Sequence, residues 1–123
     1  MAGTLGITTE EMPDLSVLIA SETHLAKQIT IASGAGKLKR GTVLGINTST
    51  YKYKQLDPSA SNGTEIARAI LVEDVDASSN DVNAQAFFVG KYRLSDLIWP
   101  DGITDEQKNA AILQLQDRGI IVE

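Results

Sequence analysis

One stretch of this chain, residues 104–119, carries a complete set of helix signals between a rigid turn and an apolar terminal run. Thr104 is placed to cap, and Gln107 three residues later can return the bond, so two orphan backbone donors are satisfied reciprocally. Asp105 and Glu106 put negative charge in the first turn, where the helix dipole favours it. Ala111, Ile112 and Leu115 form an inward stripe with Lys108 at its edge, and Arg118 stands in the last turn. Gly119 suits the position just past the helix. The turn Trp99-Pro100-Asp101-Gly102 precedes this helix, and 120–122 follows as a short strand. Elsewhere the apolar residues come in short runs broken by turn formers. The expected fold class is therefore α+β, mostly β, with one C-terminal helix.

The strands can be placed along the chain. Residues 27–32 alternate Ile29 and Ile31 with polar neighbours, the pattern of a half-buried strand, and 33–36 (SGAG) make a loop. In 38–46, Leu38, Thr42, Leu44 and Ile46 share one parity, with a bend or bulge at Arg40-Gly41. After a polar turn at 47–50, the run 51–56 sets Tyr51, Tyr53 and Gln55 on one face and Lys52, Lys54 and Leu56 on the other. Residues 57–63 (DPSASNG) are dense in turn formers. The run 66–75 has helical propensity at its start, but its β-branched end and Gly63 before it favour a strand running into a loop. Residues 77–83 read as polar loop, and 85–90 as a short apolar core strand.

At 123 residues a single domain is expected, large enough to bury a core without staples. With aromatics at 5%, that core must rest on Ile, Leu, Val and Ala. There is no cysteine, which removes disulfides and thiol chemistry. With one histidine, zinc sites fail on counting. No basic start or long apolar run marks a targeting or membrane segment, since a spanning helix needs about 20 apolar residues. The chain is expected to be soluble and cytosolic where it is made.

The net charge of −5 is unevenly laid out. Residues 1–24 hold four acids and no base, 25–54 six bases and no acid, and the remainder twelve acids against five bases. Such asymmetry suits faces that meet different partners, though a solvated mixed surface shows it too. Residues 1–24 read as an arm rather than part of the body: 1–9 are small and β-tolerant, Pro13 interrupts pairing, and 15–20 need an apolar partner. A frayed terminus is the plain alternative to an arm that pairs with a neighbouring protein.

Catalytic and ligand signatures are weak. Set as a calcium loop, Asp74, Asp76 and Ser78 take the first ligand positions, but Ser79 stands where glycine is needed and Gln85 where a bidentate Glu is needed. His24 has no serine elbow to serve. Gly34-Ala35-Gly36-Lys37 lacks the ending of a phosphate loop and leads into a strand. Tyr51-Lys52-Tyr53-Lys54 could stack bases and hold phosphates, but the strand puts the two residue types on opposite faces and the chain is acidic overall. Trp99 beside its turn reads either as a core residue pinning the helix or as an interface anchor.

The order of parts in 90–123 (GKYRLSDLIWPDGITDEQKNAAILQLQDRGIIVE) resembles the end of the small head-decoration proteins of lambda-like tailed bacteriophages. Residues 38–46 (LKRGTVLGI) and 69–77 (AILVEDVDA) resemble the middle of the same family, in the same order. The resemblance implies a β-clip or β-tulip type domain over 25–123 and a capsid-binding arm over 1–24. It implies homotrimers at local threefold positions on the outer surface of the expanded head, bound to the major capsid protein and stabilising the shell against DNA pressure. The protein would be made in the bacterial cytoplasm and end in the virion. By the same resemblance the arm residues Thr4, Leu5, Gly6, Ile7, Thr8 and Thr9 would add to a β-element of the capsid protein. Trp99 and Pro100 would anchor the trimer interface or the core. No catalysis, cofactor, metal, nucleic acid or membrane is implied. The alternative is an adhesion or carbohydrate-binding module, against which the shortage of aromatics argues.

Overall fold

The computed structural model describes residues 25–123. Among these, eight strands and two helices follow in chain order. They are β1 (Leu25–Ile31), β2 (Gly36–Leu38), β3 (Val43–Asn47), β4 (Lys52–Gln55), β5 (Ala69–Leu71), β6 (Val75–Ala77) and β7 (Val82–Tyr92), then a 3-10 turn (Leu94–Asp96), α1 (Asp105–Asp117) and β8 (Ile120–Val122). Six strands make one mixed sheet in the order β1-β4-β3-β5-β7-β8. Because β1 also pairs with β7, five of them close into a ring. The expected fold class, mostly β with one C-terminal helix, is the one found.

β1 runs antiparallel to β7 from Leu25 opposite Val89 to Ile31 opposite Val82, with a bulge between Leu25 and Ala26. Its parallel contact with β4 is confined to Ile31 opposite Tyr53. β3 and β4 form an antiparallel hairpin, and β2 and β6 make a separate two-stranded ribbon. β7 is the seam: it pairs with β1, with β5 through Ile70–Phe87 and Leu71–Ala86, and with β8 through Gly90–Ile120.

Two cores share the central strands, because successive side chains face opposite ways. One side takes Ile29, Ile31, Leu44, Tyr53, Leu71 and four alanines (Ala69, Ala77, Ala84, Ala86). The other takes Val43, Leu56, Ile70 and Ile120 with Ala111 and Leu115 of the helix. β5 is thus buried on both faces, and its sequence Ala-Ile-Leu is continuously apolar for that reason. The alanines keep the ring narrow, since small residues among large ones fit a tight closure.

The helix forms as its sequence directs. The Gln107 N–H donates to Thr104 Oγ1 and the Thr104 N–H to Gln107 Oε1, both at 3.0 Å, completing the capping box. Ala111 and Leu115 are buried, Ile112 half-buried, and Gly119 ends the helix at φ 96°. Gln114 Oε1 accepts the Ala67 N–H at 2.8 Å, which ties the helix to the segment leading into β5.

Two glycines are fixed by space. At Gly41, φ is 95° and a Cβ would lie 2.5 Å from the Asp96 carbonyl oxygen, so the expected bend at Arg40-Gly41 is a real break between β2 and β3. Gly45 lies in β3, where a Cβ would meet the Thr64 carbonyl oxygen at 2.5 Å and its Cα at 2.8 Å. The long turn after β4 crosses directly over it.

Several expectations are corrected. Tyr51 does not share a strand face with Tyr53: it ends the turn at φ 60° and is 74% exposed, while Tyr53 is buried. Within 66–75 the expected strand running into a loop is present but short, covering Ala69–Leu71 before β6 begins. Residues 77–83 are not all loop, since Ala77 closes β6 and Val82 opens β7. The short strand at 85–90 is part of an eleven-residue strand in which Gln85 is exposed.

Carboxylates pin the loops. Asp74 accepts the Arg40 N–H at 2.8 Å, and Glu73 the Gln85 N–H at 3.0 Å. Asp81 accepts the Ser33 N–H at 2.8 Å and pairs with the Lys52 ammonium at 2.7 Å. The acidic stretch that could be aligned as a calcium loop is thus spent on backbone donors. Ser78 hydrogen bonds hold the Asp76 carboxyl below its ordinary value, and Ser59 does the same for Asp57 with help from Lys54. Lys52 and then the Ser33 N–H lower Asp81.

A depressed native value means that the stabilisation is full above the unfolded carboxylate range and is lost as pH falls through the native values. Stability should therefore decline below about pH 4. Asp81→Asn should narrow the difference in melting temperature between about pH 7 and pH 3. Gly45→Ala should cost about 1–3 kcal/mol, because backbone rather than a flexible side chain must yield. Thr104→Ala should cost about 1 kcal/mol. Urea midpoints of the two variants check both values.

Candidate docking face

The turn between β3 and β4 is built by Asn47. Its side-chain oxygen accepts the N–H groups of Ser49 at 2.9 Å and Thr50 at 3.3 Å, and its carbonyl accepts the Tyr51 N–H at 2.7 Å. Closing the turn this tightly leaves Tyr51 in the left-handed region, which costs a non-glycine residue about 1–2 kcal/mol. Its phenol projects into solvent at the tip of the hairpin.

Beside that tip, β1 runs past the start of β4. The Ala32 N–H donates to the Tyr53 carbonyl at 2.8 Å, while the Ser33 N–H turns the other way to Asp81. Backbone groups alternate along a strand, so those of Ala26 and Gln28 point away from β7, on the side of β4. Among the described residues no strand pairs with Leu25–Thr30 on that side. Between this edge and Tyr51 lies a groove of about 370 Å³. Of its lining residues, Tyr53 meets Phe88 edge-on at 6.2 Å, and the Lys27 ammonium lies 5.7 Å over the same Phe88 ring. Burial raises the Tyr53 phenol above its ordinary value, with Arg68 opposing, so it stays protonated at neutral pH.

A second surface feature is the Trp99 turn. Trp99 is half-buried against the helix-side core, with the Lys108 ammonium 5.8 Å over its ring. Its indole Nε1 is buried and unpaired. Pro100 is half-buried too, and with Asp101, Gly102 and Ile103 it walls a cleft of about 220 Å³ facing Asp57, Pro58 and Ser59. A third cleft, of about 400 Å³, has Arg40 and Asp96 at its rim over Phe87 and Tyr92. There the Tyr92 hydroxyl donates to the Val89 carbonyl at 3.1 Å, and burial drives its pKa well upward.

Of the residues singled out in the sequence, Trp99 and Pro100 fall together on the turn entering the helix. Thr4, Leu5, Gly6, Ile7, Thr8 and Thr9 lie outside the described residues, as does His24. Sequence reasoning set Tyr51 on the strand face of Tyr53 rather than at the turn, and missed the side of β1 that no described strand takes up. The signal was the Asn-Thr-Ser-Thr turn, whose asparagine can cap two following N–H groups and so delay the strand by one residue. Among the described residues no three His, Cys, Asp or Glu side chains gather to hold a metal ion. No helix among them is long and apolar enough to cross a membrane. These surfaces offer shallow, polar-rimmed contact rather than an enclosed reaction chamber.

No curated protein sequence matches this chain. The family model for bacteriophage lambda head decoration protein D matches residues 7–120, which takes in the hairpin, the seam strand, the Trp99 turn and the helix. With nearly its whole length matched, the chain belongs to the bacteriophage lambda head decoration protein family.

Proposed function

We propose that this protein decorates the outer surface of an expanded icosahedral phage head as homotrimers at local threefold positions, binding the major capsid protein and stabilising the shell against DNA pressure. The observation that carries this reading is the family match over residues 7–120, which begins inside the segment 4–9 and runs through the body. The family is a structural one, of phage head components. The domain over 25–123 serves as a rigid body, and 1–24 as the arm that engages the capsid.

The arm chemistry suits strand addition. Thr4, Thr8 and Thr9 tolerate extended backbone, Leu5 and Ile7 can fill pockets, and the segment carries no charge to desolvate. With three arms on one trimer, the second and third engagements become effectively intramolecular, so a weak arm gives firm attachment. Trp99 and Pro100 anchor the trimer or the packing that supports it.

Deleting residues 4–9 should abolish co-sedimentation with expanded heads lacking their own decoration, while the melting temperature stays unchanged. Undiminished occupancy by the truncated protein would count against the arm. Trp99→Ala should lower stability by about 2–4 kcal/mol and shift sedimentation towards smaller species. A variant that melts and sediments like the parent would remove Trp99 from both roles.

A further inference from the structure

We propose that the open side of β1, with Tyr51 as its outer wall, is a second docking site that takes an extended, acid-bearing strand of the capsid subunit. This deepens the capsid reading above and rests on it.

Three observations converge on the groove. Gln28, which lines it, and Ala26 beside it direct their backbone N–H and C=O groups away from β7 by strand alternation, and among the described residues no strand takes them up. Such a row is a template for strand addition, with main-chain bonds giving affinity and flanking side chains giving choice of partner. Second, Tyr51 is held at φ 60° with its ring 74% exposed, so the fold bears backbone strain to present an aromatic side chain at the groove mouth. Strained positions that present a side chain cluster at ligand clamps. Third, the groove has Lys27 on one wall and no carboxylate among its lining residues. It lies within the stretch 25–54, which holds six bases and no acid. An incoming strand bearing Asp or Glu complements it. From Ala26 to Thr30 the edge offers about 13 Å of backbone.

Lys27 has a defined place in this arrangement. It shares a parity with Ile29 and Ile31, which enter the ring, but it lies beyond the ring's mouth and rests its ammonium over Phe88. A carboxylate entering beside β1 meets a cation already positioned by an aromatic face. The phenol of Tyr51 can then lie along the added strand from the opposite wall.

The test uses the full chain and expanded shells lacking decoration. Tyr51→Gly relieves the left-handed strain and removes the ring, so it should melt no lower than the parent yet bind shells at least tenfold more weakly. Gln28→Pro removes an N–H that the β1–β7 ladder does not use, and it should weaken binding to a similar degree. Lys27→Glu should weaken binding more than Lys27→Gln. A photo-crosslinking aromatic amino acid at position 51 should join to the capsid subunit. A parent that does not bind shells overturns the capsid reading and this site with it. A parent that binds, with Tyr51→Gly and Gln28→Pro binding equally well, overturns this site alone. Crosslinking solely to a second copy of the chain also overturns it.

Discussion

A strand of eleven residues spans about 36 Å, and every backbone group along it needs a partner. β7 meets that demand by taking β1 along its first two-thirds, β5 across its middle and β8 at its end. These pairings reach back to residue 25 and forward to residue 122, so the seam fixes both ends of the described chain to one line. The ring closes through it. The helix is placed by it as well, because α1 must return the chain to lie parallel beside β7 and cannot do so by a short hairpin.

The seam also divides the interior. Ala84 and Ala86 face into the ring, while Phe87 turns to the helix side, where it lies near Tyr92 at 5.6 Å between ring centres. Small residues on the ring side let the paired strands curve around a narrow interior. Large ones on the other support Leu115 and Ile120. An aromatic-poor chain can stabilise itself in this way, with aliphatic contacts on both faces of the same few strands.

Much of this is legible in the residues, and the division between what is and what is not has a physical cause. The helix declares itself because its cap, dipole charges and terminating glycine are all local. The break at Arg40-Gly41 and the turn at 57–63 are local too. Tyr51 misleads because its strand pattern is genuine, but Asn47 captures two N–H groups and holds the chain in the turn one residue longer. Residues 77–83 look like loop because Asp76, Ser78 and Asp81 are polar. Their partners, Lys37 beside Asp76 and Ser33 beside Asp81, lie 39 and 48 residues away along the chain. No periodicity reports a contact of that kind. The face around Tyr51 is hidden from sequence for the same reason: it exists only where β1 overruns a hairpin that begins some twenty residues later.

The antiparallel register of β1 and β7 has a mechanical consequence. A pull delivered through Leu25 along the strand axis does not peel one hydrogen bond after another. It loads the whole ladder from Leu25–Val89 to Ile31–Val82 in shear, so the bonds resist together. The bulge between Leu25 and Ala26 lies at the loaded end, where it can give before the ladder does. Under the proposed attachment through the arm, a shell that swells or trembles would load this seven-residue ladder as a unit, through a short compliant link.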